Sequence, residues 1–179
     1  MNPYLSRIGY QGYNTLLLVI LIALYYYKHI TNPLVYLSVI VWQLSCHLIN
    51  IIIKNTLRLS RPDSFDDKDP EHKHKDEHKD DFNIIKNSVT WKNYLTIHRN
   101  FGMPSGHAQA VVSEFTFIAL YFQKPLLTLA AFAQVLLTIY QRYATRRHSI
   151  QQLIVGSTIG IPVGLIFYKL FTAYSLIAL

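Results

Sequence analysis

Three short clusters of cationic and histidine side chains, each at the edge of an apolar segment, could together hold and transfer a phosphoryl group. The clusters are Lys54-x6-Arg61-Pro62, then Pro104-Ser105-Gly106-His107, then Arg142-x5-His148. Phosphoryl transfer spreads negative charge over three equatorial oxygens, and positioned lysine and arginine groups stabilise that charge. A histidine can act as the nucleophile or can move a proton. The three clusters therefore supply the parts of a phosphoryl-transfer site.

The first cluster follows directly on an apolar segment. Lys54, Arg58 and Arg61 are spaced i, i+4 and i+7, so a helix that continues past Ile53 would place them on one stripe. Pro62 would then end that helix or force a turn. Taken alone, the same residues also suit a juxtamembrane anchor whose long side chains reach the lipid headgroups.

The second cluster predicts the start of a helix. Ser105 is a good N-cap residue, and the unpaired N–H groups of a first helical turn form a ready anion site. Gly106 has no Cβ, which lets a phosphate approach the backbone closely. His107 would then lie where a leaving-group oxygen needs a proton. An ordinary capped helix with a histidine at the membrane surface is the structural alternative.

The third cluster spans a short turn between two apolar segments. Arg142 ends one segment and His148 opens the next, so the turn can direct a guanidinium and an imidazole at one anion. An imidazole can attack phosphorus and form a phosphoenzyme that water then hydrolyses. The alternative for this cluster is a basic hairpin, in which Arg146 and Arg147 only add positive charge that influences the orientation in the membrane.

The apolar segments that carry the clusters are long enough to cross a bilayer. The runs 8–27 and 149–168 each hold 20 residues without Asp, Glu, Lys or Arg, and about 20 apolar residues span a hydrocarbon core. We predict one domain over residues 1–179, an all-α polytopic membrane helix bundle with about five transmembrane helices. The predicted spans are 8–27, 33–53, 107–122, 125–140 and 149–168. A soluble protein with several buried helices is the alternative.

Alternation of five spans places the three clusters on one face, as a shared site requires. Of the 17 Lys and Arg residues, 14 lie on that face, and the positive-inside rule assigns such a face to the cytoplasm. Cations retained to bind phosphate would produce the same bias, so the compartment stays open. The cations lie at the ends of apolar segments rather than along an exposed face, which argues against a nucleic-acid partner.

Residues 63–81 form a charged, low-complexity insertion in the loop on the cluster face. They hold nine of the ten acidic residues together with four lysines, and a segment so poor in apolar residues is predicted to be disordered. His72, His74 and His78 could bind a transition metal with help from carboxylates. A solvated tract is the better interpretation, so we assign no metal and no cofactor.

Two features within the spans predict how the helices pack. Glu114 is costly in lipid and is expected to face the interior of the bundle. Gly156, Gly160 and Gly164 form two consecutive G-xxx-G spacings, which favour close packing against another helix. We expect that packing within the monomer; a homo-oligomer is compatible with the sequence, but nothing in it indicates one.

In this order and topology the clusters resemble the signature of the type 2 phosphatidic acid phosphatase (PAP2) superfamily, which includes lipid phosphate phosphatases and polyprenyl diphosphatases. That signature is K-x6-RP, then PSGH, then SR-x5-H-x3-D. The first two parts match completely, whereas the third has Gln141 in the Ser position and Gln152 in the Asp position. The resemblance extends from about Leu34 to Tyr168.

The resemblance implies roles for most cluster residues. His107 would be the general acid and His148 the nucleophile of a reaction that needs no metal. The residues implied in phosphate binding are Lys54, Arg61, Ser105, Gly106 and Arg142. The family is an α-helical membrane bundle, usually of six spans, so this chain looks one helix short.

The departure at Gln152 bears most on activity. An Asp there would orient His148 and stabilise its positive charge, whereas the Gln carbonyl can accept a bond from the ring N–H without supplying charge. The sequence therefore predicts a membrane phosphatase, slow because of Gln152, that acts on a lipid phosphate or polyprenyl diphosphate at the bilayer. The alternative is a weakened or inactive PAP2-like protein that binds lipid phosphates or membrane partners.

Overall fold

The computed structural model describes residues 3–28, 30–57, 59 and 101–177, and within these ranges the chain forms six α-helices. They are α1 (Pro3–Tyr10), α2 (Gly12–Lys28), α3 (Pro33–Leu57), α4 (Gly106–Phe122), α5 (Pro125–Ala144) and α6 (Ile150–Ile177). The described part of the chain is thus all-α, as predicted. Arg61, Pro62 and the insertion 63–81 with its three histidines lie outside the described residues.

The helices differ from the predicted spans mainly at their ends. The segment predicted as one span over 8–27 is two helices that meet at Gln11. Helical hydrogen bonds still pass through that point, because the Gln11 N–H donates to Arg7 O and the Thr15 N–H donates to Gln11 O. Helix α3 continues past Ile53 to Leu57, which makes Lys54 helical, as the first cluster predicted.

Helix α4 lies at the centre of the bundle and packs against α2, α3, α5 and α6. Its Phe117 is fully buried and contacts the rings of both Trp42 and Phe167, with centroids 5.6 and 5.0 Å away. Trp42 and Phe167 are themselves stacked at 4.0 Å. This aromatic cluster joins α3, α4 and α6 below the ends that carry the sequence clusters.

The glycine stripe of α6 packs on α4 within the chain, as expected. A Cβ built on any of these glycines would lie 2.5 Å from a backbone oxygen of α4 or of its N-cap. The pairs are Gly156 with Ser105, Gly160 with Gln109, and Gly164 with Ser113. Only glycine allows so close an approach of the two backbones.

Two of the described helices are long and apolar enough to cross a membrane, over Pro33–Leu57 and Ile150–Ala173. Helices α2 and α4 have 17 residues each, the lower end of what a span needs, and five spans stay a prediction. Glu114 is fully buried, as expected for a carboxyl group in such a bundle. The Gly102 N–H donates to Leu59 O at 2.9 Å, which joins the residue after the end of α3 to the stretch before α4.

Candidate active site

A cavity of about 580 Å³ opens at the end of the bundle where α3 and α5 end and α4 and α6 begin. Residues from all three sequence clusters line it: Lys54, Gly106, His107, Arg142 and His148. The helix alternation inferred from the sequence therefore brings the clusters to one place. Ser105 is fully buried behind this wall, and Arg61 lies outside the described residues.

The charge of the cavity favours an anion. Lys54, Arg142 and Arg147 line it, and Lys54 and Arg142 are only 6% and 3% exposed. No carboxylate is among the described residues of the wall, and Glu114 is the one acidic residue of the chain outside 63–81. Positive charge in a wall without a described carboxylate attracts anions, and a phosphate group is an anion of suitable charge.

Ser105 begins α4 as its N-cap. The Ser105 Oγ accepts a hydrogen bond from the Ala108 N–H at 3.5 Å, and its backbone N–H donates to Gln152 O at 3.1 Å. The cap therefore fixes the start of α4 against the first turn of α6. This contact constrains the separation of His107 from His148, because His107 follows Ser105 by two residues and His148 precedes Gln152 by four.

Asn50 anchors the same turn to α3. Its Nδ2 donates to Gln109 Oε1 at 2.8 Å and to Pro104 O at 3.4 Å. A Cβ at Gly106 would lie 2.9 Å from Asn50 Oδ1, so this close approach is a second reason for glycine besides access of phosphate to the backbone. Both contacts hold the first turn of α4 at the edge of the cavity.

Gln152 contacts the imidazole of His148 in the way that the sequence suggested for a neutral residue. Its Oε1 lies 3.2 Å from His148 Nδ1 and accepts the Ser149 N–H, also at 3.2 Å. A backbone N–H can only donate, so the Gln152 amide atom that accepts from the Ser149 N–H is the oxygen. His148 Nδ1 must then carry its proton. In a neutral imidazole with this tautomer, the other ring nitrogen, Nε2, carries the lone pair.

His107 lines the same cavity from the first turn of α4. Its Nε2 is buried and has no hydrogen-bond partner among the described residues. Buried polar atoms are normally paired, so this nitrogen is a candidate to bind a ligand in the cavity. The rings of Tyr10 and Tyr13 pack on the imidazole, with centroids 5.4 and 5.1 Å away.

The structure adds lining residues that the sequence analysis missed. Gln43, His47 and Asn50 precede Lys54 on α3 and line the cavity with it. Their spacing of three or four residues within an apolar span is a signal that could have identified them. Gln141, in the Ser position of the family pattern, is buried against α1: its Cβ lies 2.6 Å from where a Cβ of Gly9 would be.

Comparison with known families gives one match. A model described as the PAP2 superfamily matches residues 34–175, more than three quarters of the chain. Among curated proteins and among solved structures, no significant match was found. The family match begins after α2, so Tyr10 and Tyr13 lie outside it.

Proposed function

This protein belongs to the PAP2 superfamily, which includes phosphatases, and from that premise we propose that it is an integral membrane phosphatase. The proposed substrate is a lipid phosphate or a polyprenyl diphosphate, hydrolysed through a phosphohistidine and without a metal. One observation carries the proposal. His107 and His148 line one cavity with the buried cations Lys54 and Arg142, and no carboxylate is among its described lining residues.

In the first step Lys54, Arg142 and the first-turn amides of α4 would hold the phosphoryl oxygens, with Arg61 added from the first cluster. His148 Nε2 attacks phosphorus while the bond from phosphorus to the leaving oxygen breaks. His107 gives its proton to that oxygen. The positive charge that develops on His148 is shared with Gln152 through the Nδ1–H bond, but a neutral amide stabilises it less than a carboxylate would.

In the second step water releases the phosphate. His107, now neutral, takes a proton from the attacking water, and the bond between phosphorus and His148 Nε2 breaks. Both histidines return to their starting states. The wall residues already described suffice for this cycle, which needs no further group to balance protons.

The surroundings of the cavity support a lipid substrate. Exposed apolar side chains lie on the outer faces of the helices, and Leu44, at the cavity wall, is 64% exposed. Such surface is what a bilayer covers. We propose the bilayer and a phosphorylated lipid as the partners of this chain, with the cavity end of the bundle on the cytoplasmic face.

The proposal is tested by phosphate release from phosphatidic acid and from a polyprenyl diphosphate by the detergent-purified protein in EDTA. We expect turnover that His148→Ala abolishes, whereas Tyr140→Ala, an exposed substitution on α5, keeps it. A radiolabelled phosphate that stays on the protein after an alkaline quench should also be lost in His148→Ala. Turnover that survives His148→Ala, or that EDTA abolishes, would contradict the mechanism.

A second function is favoured by one observation, the neutral Gln152 beside His148. On this reading the chain binds lipid phosphates without hydrolysing them at a useful rate. It predicts that the folded wild-type protein binds phosphatidic acid but releases no phosphate from it. The EDTA assay above therefore separates the two functions.

A further inference from the structure

Two tyrosines from outside the family match lie against the proposed catalytic groups. Tyr10 ends α1 and Tyr13 lies in the first turn of α2, and both line the cavity. The Arg142 guanidinium carbon is 4.7 Å from the centroid of the Tyr10 ring. Both tyrosines also contact His107, whose ring is tilted by 44° to that of Tyr10 and meets that of Tyr13 edge-on at 89°.

We propose that Tyr10 and Tyr13 are positioning residues that complete this site: Tyr10 holds both Arg142 and His107, and Tyr13 holds His107. The expected effect on catalysis rests on the proposed function, whereas the expected effect on anion binding does not. A cation over an aromatic face within about 6 Å is attracted to it. Ring pairs at about 4.5–7 Å with tilted or edge-to-face geometry are also favourable.

The N-terminal segment is packed tightly enough on α5 to keep the tyrosines in place. A Cβ at Gly12 would overlap Thr138 of α5, since it would lie 2.0 Å from the hydroxyl oxygen. The Gln134 Nε2 donates to Ile8 O at 3.1 Å. The same helix, α5, carries Arg142, so Tyr10 and the guanidinium that it contacts are fixed to one support.

The two tyrosines should affect different steps. Arg142 is a proposed phosphate-binding group, so loss of the Tyr10 ring should weaken anion binding and slow turnover. Tyr13 contacts the proposed acid His107, so loss of its ring should slow turnover and leave anion binding unchanged. In both cases the aromatic ring matters rather than the hydroxyl group.

The experiment uses the full-length protein in detergent with two readouts: the affinity for orthovanadate, by calorimetry, and kcat and KM for phosphatidic acid. Tyr10→Leu should lower both vanadate affinity and kcat/KM roughly tenfold, and Tyr10→Phe should restore most of the loss. Tyr13→Leu should lower kcat severalfold with vanadate affinity within about twofold of wild type. Tyr140→Leu, an exposed tyrosine on α5, should change neither readout.

The outcomes separate this inference from the proposed function. The wild-type protein could bind vanadate without releasing phosphate, while Tyr10→Leu weakens vanadate binding and Tyr10→Phe restores it. That result would contradict the phosphatase proposal and support the positioning role of Tyr10. Tyr10→Leu protein that is folded and binds vanadate like wild type would overturn the inference. So would equal damage from Tyr10→Phe and Tyr10→Leu. Wild-type protein that neither binds vanadate nor turns over would overturn both proposals.

Discussion

At the residue scale, the contact between His148 and Gln152 explains how a site without the usual acid can keep its geometry. Gln152 Oε1 bridges the Ser149 N–H and His148 Nδ1, both at 3.2 Å. This bridge favours the tautomer in which Nε2 has the lone pair, as the proposed nucleophile requires, so the orientation of His148 does not depend on a carboxylate. Stabilisation of positive charge on His148 does depend on a carboxylate, because an imidazole that attacks phosphorus becomes cationic. We infer that Gln152 orients His148 as an acid would but does not stabilise its positive charge.

Gln152→Glu is therefore expected to raise kcat. The substitution keeps the length of the side chain and the acceptor for Ser149, and it adds charge beside His148; a charge-assisted hydrogen bond is roughly twice as strong as a neutral one. We expect kcat to rise at least about tenfold, since each 1.36 kcal/mol of barrier is a factor of ten. Gln152→Asp, the residue in the family pattern, should also raise kcat, and Gln152→Leu should lower it.

Gln151→Glu is the matched control for charge, since this neighbouring residue is exposed on the first turn of α6. Its kcat should stay within about twofold of wild type, because solvent screens an exposed charge. Unchanged kcat in both Gln152→Glu and Gln152→Asp would show that position 152 does not limit the rate.

At the scale of elements, the seam between α4 and α6 determines how the two histidines face each other. His107 lies in the first turn of α4, and His148 lies just before α6. Gly156 contacts the oxygen of the Ser105 cap, and the Ser105 N–H donates to Gln152 O. A change in the packing of the two helices would therefore move His107, the proposed acid, relative to His148, the proposed nucleophile.

Gly160→Val should destabilise the bundle through that seam. The new Cβ would lie 2.5 Å from Gln109 O and 3.0 Å from the Val112 Cβ, and overpacking a tight contact costs about 1–3 kcal/mol. For a chain of this size that corresponds to a Tm lower by roughly 3–10 °C, measured by thermal unfolding of the purified protein. Thr158→Val, on the exposed side of the same helix, serves as the control. Equal Tm values for the two variants would refute the close approach.

At the scale of the whole molecule, the convergence of the three clusters was predictable and the N-terminal wall was not. In a bundle of alternating helices, every second connection lies on the same face. The order of the apolar segments alone therefore predicts that Lys54, His107 and His148 lie at the same end. Tyr10 and Tyr13 have no spacing relation to His107. Their place depends on how α1 and the start of α2 pack on α5. That packing rests on close contacts at Gly9 and Gly12, which no sequence periodicity predicts.

The two ends of the bundle differ in a way that suits opposite membrane faces. Buried cations gather in the cavity at one end, whereas at the other Lys28 lies 5.2 Å from the centroid of the Tyr121 ring and Lys124 lies 5.7 Å from that of Tyr27. Lysines beside tyrosines are typical of a membrane–water interface. Helix α5 joins the two ends and has 20 residues, or about 30 Å of helix. This length matches the thickness of a hydrocarbon core, although α5 is less apolar than α3 and α6.

If α5 crosses the membrane, residues on either side of it must lie on opposite faces. Lys124 precedes α5 and Gln151 follows it, and both are exposed, so each can be replaced by cysteine in a Cys46→Ser background. In sealed inside-out vesicles, a membrane-impermeant maleimide should label Gln151→Cys and spare Lys124→Cys, because the cavity end is proposed to be cytoplasmic. The reverse pattern would keep the span but invert its orientation. Equal labelling of both variants, with the vesicles shown to be sealed, would mean that α5 does not cross the bilayer.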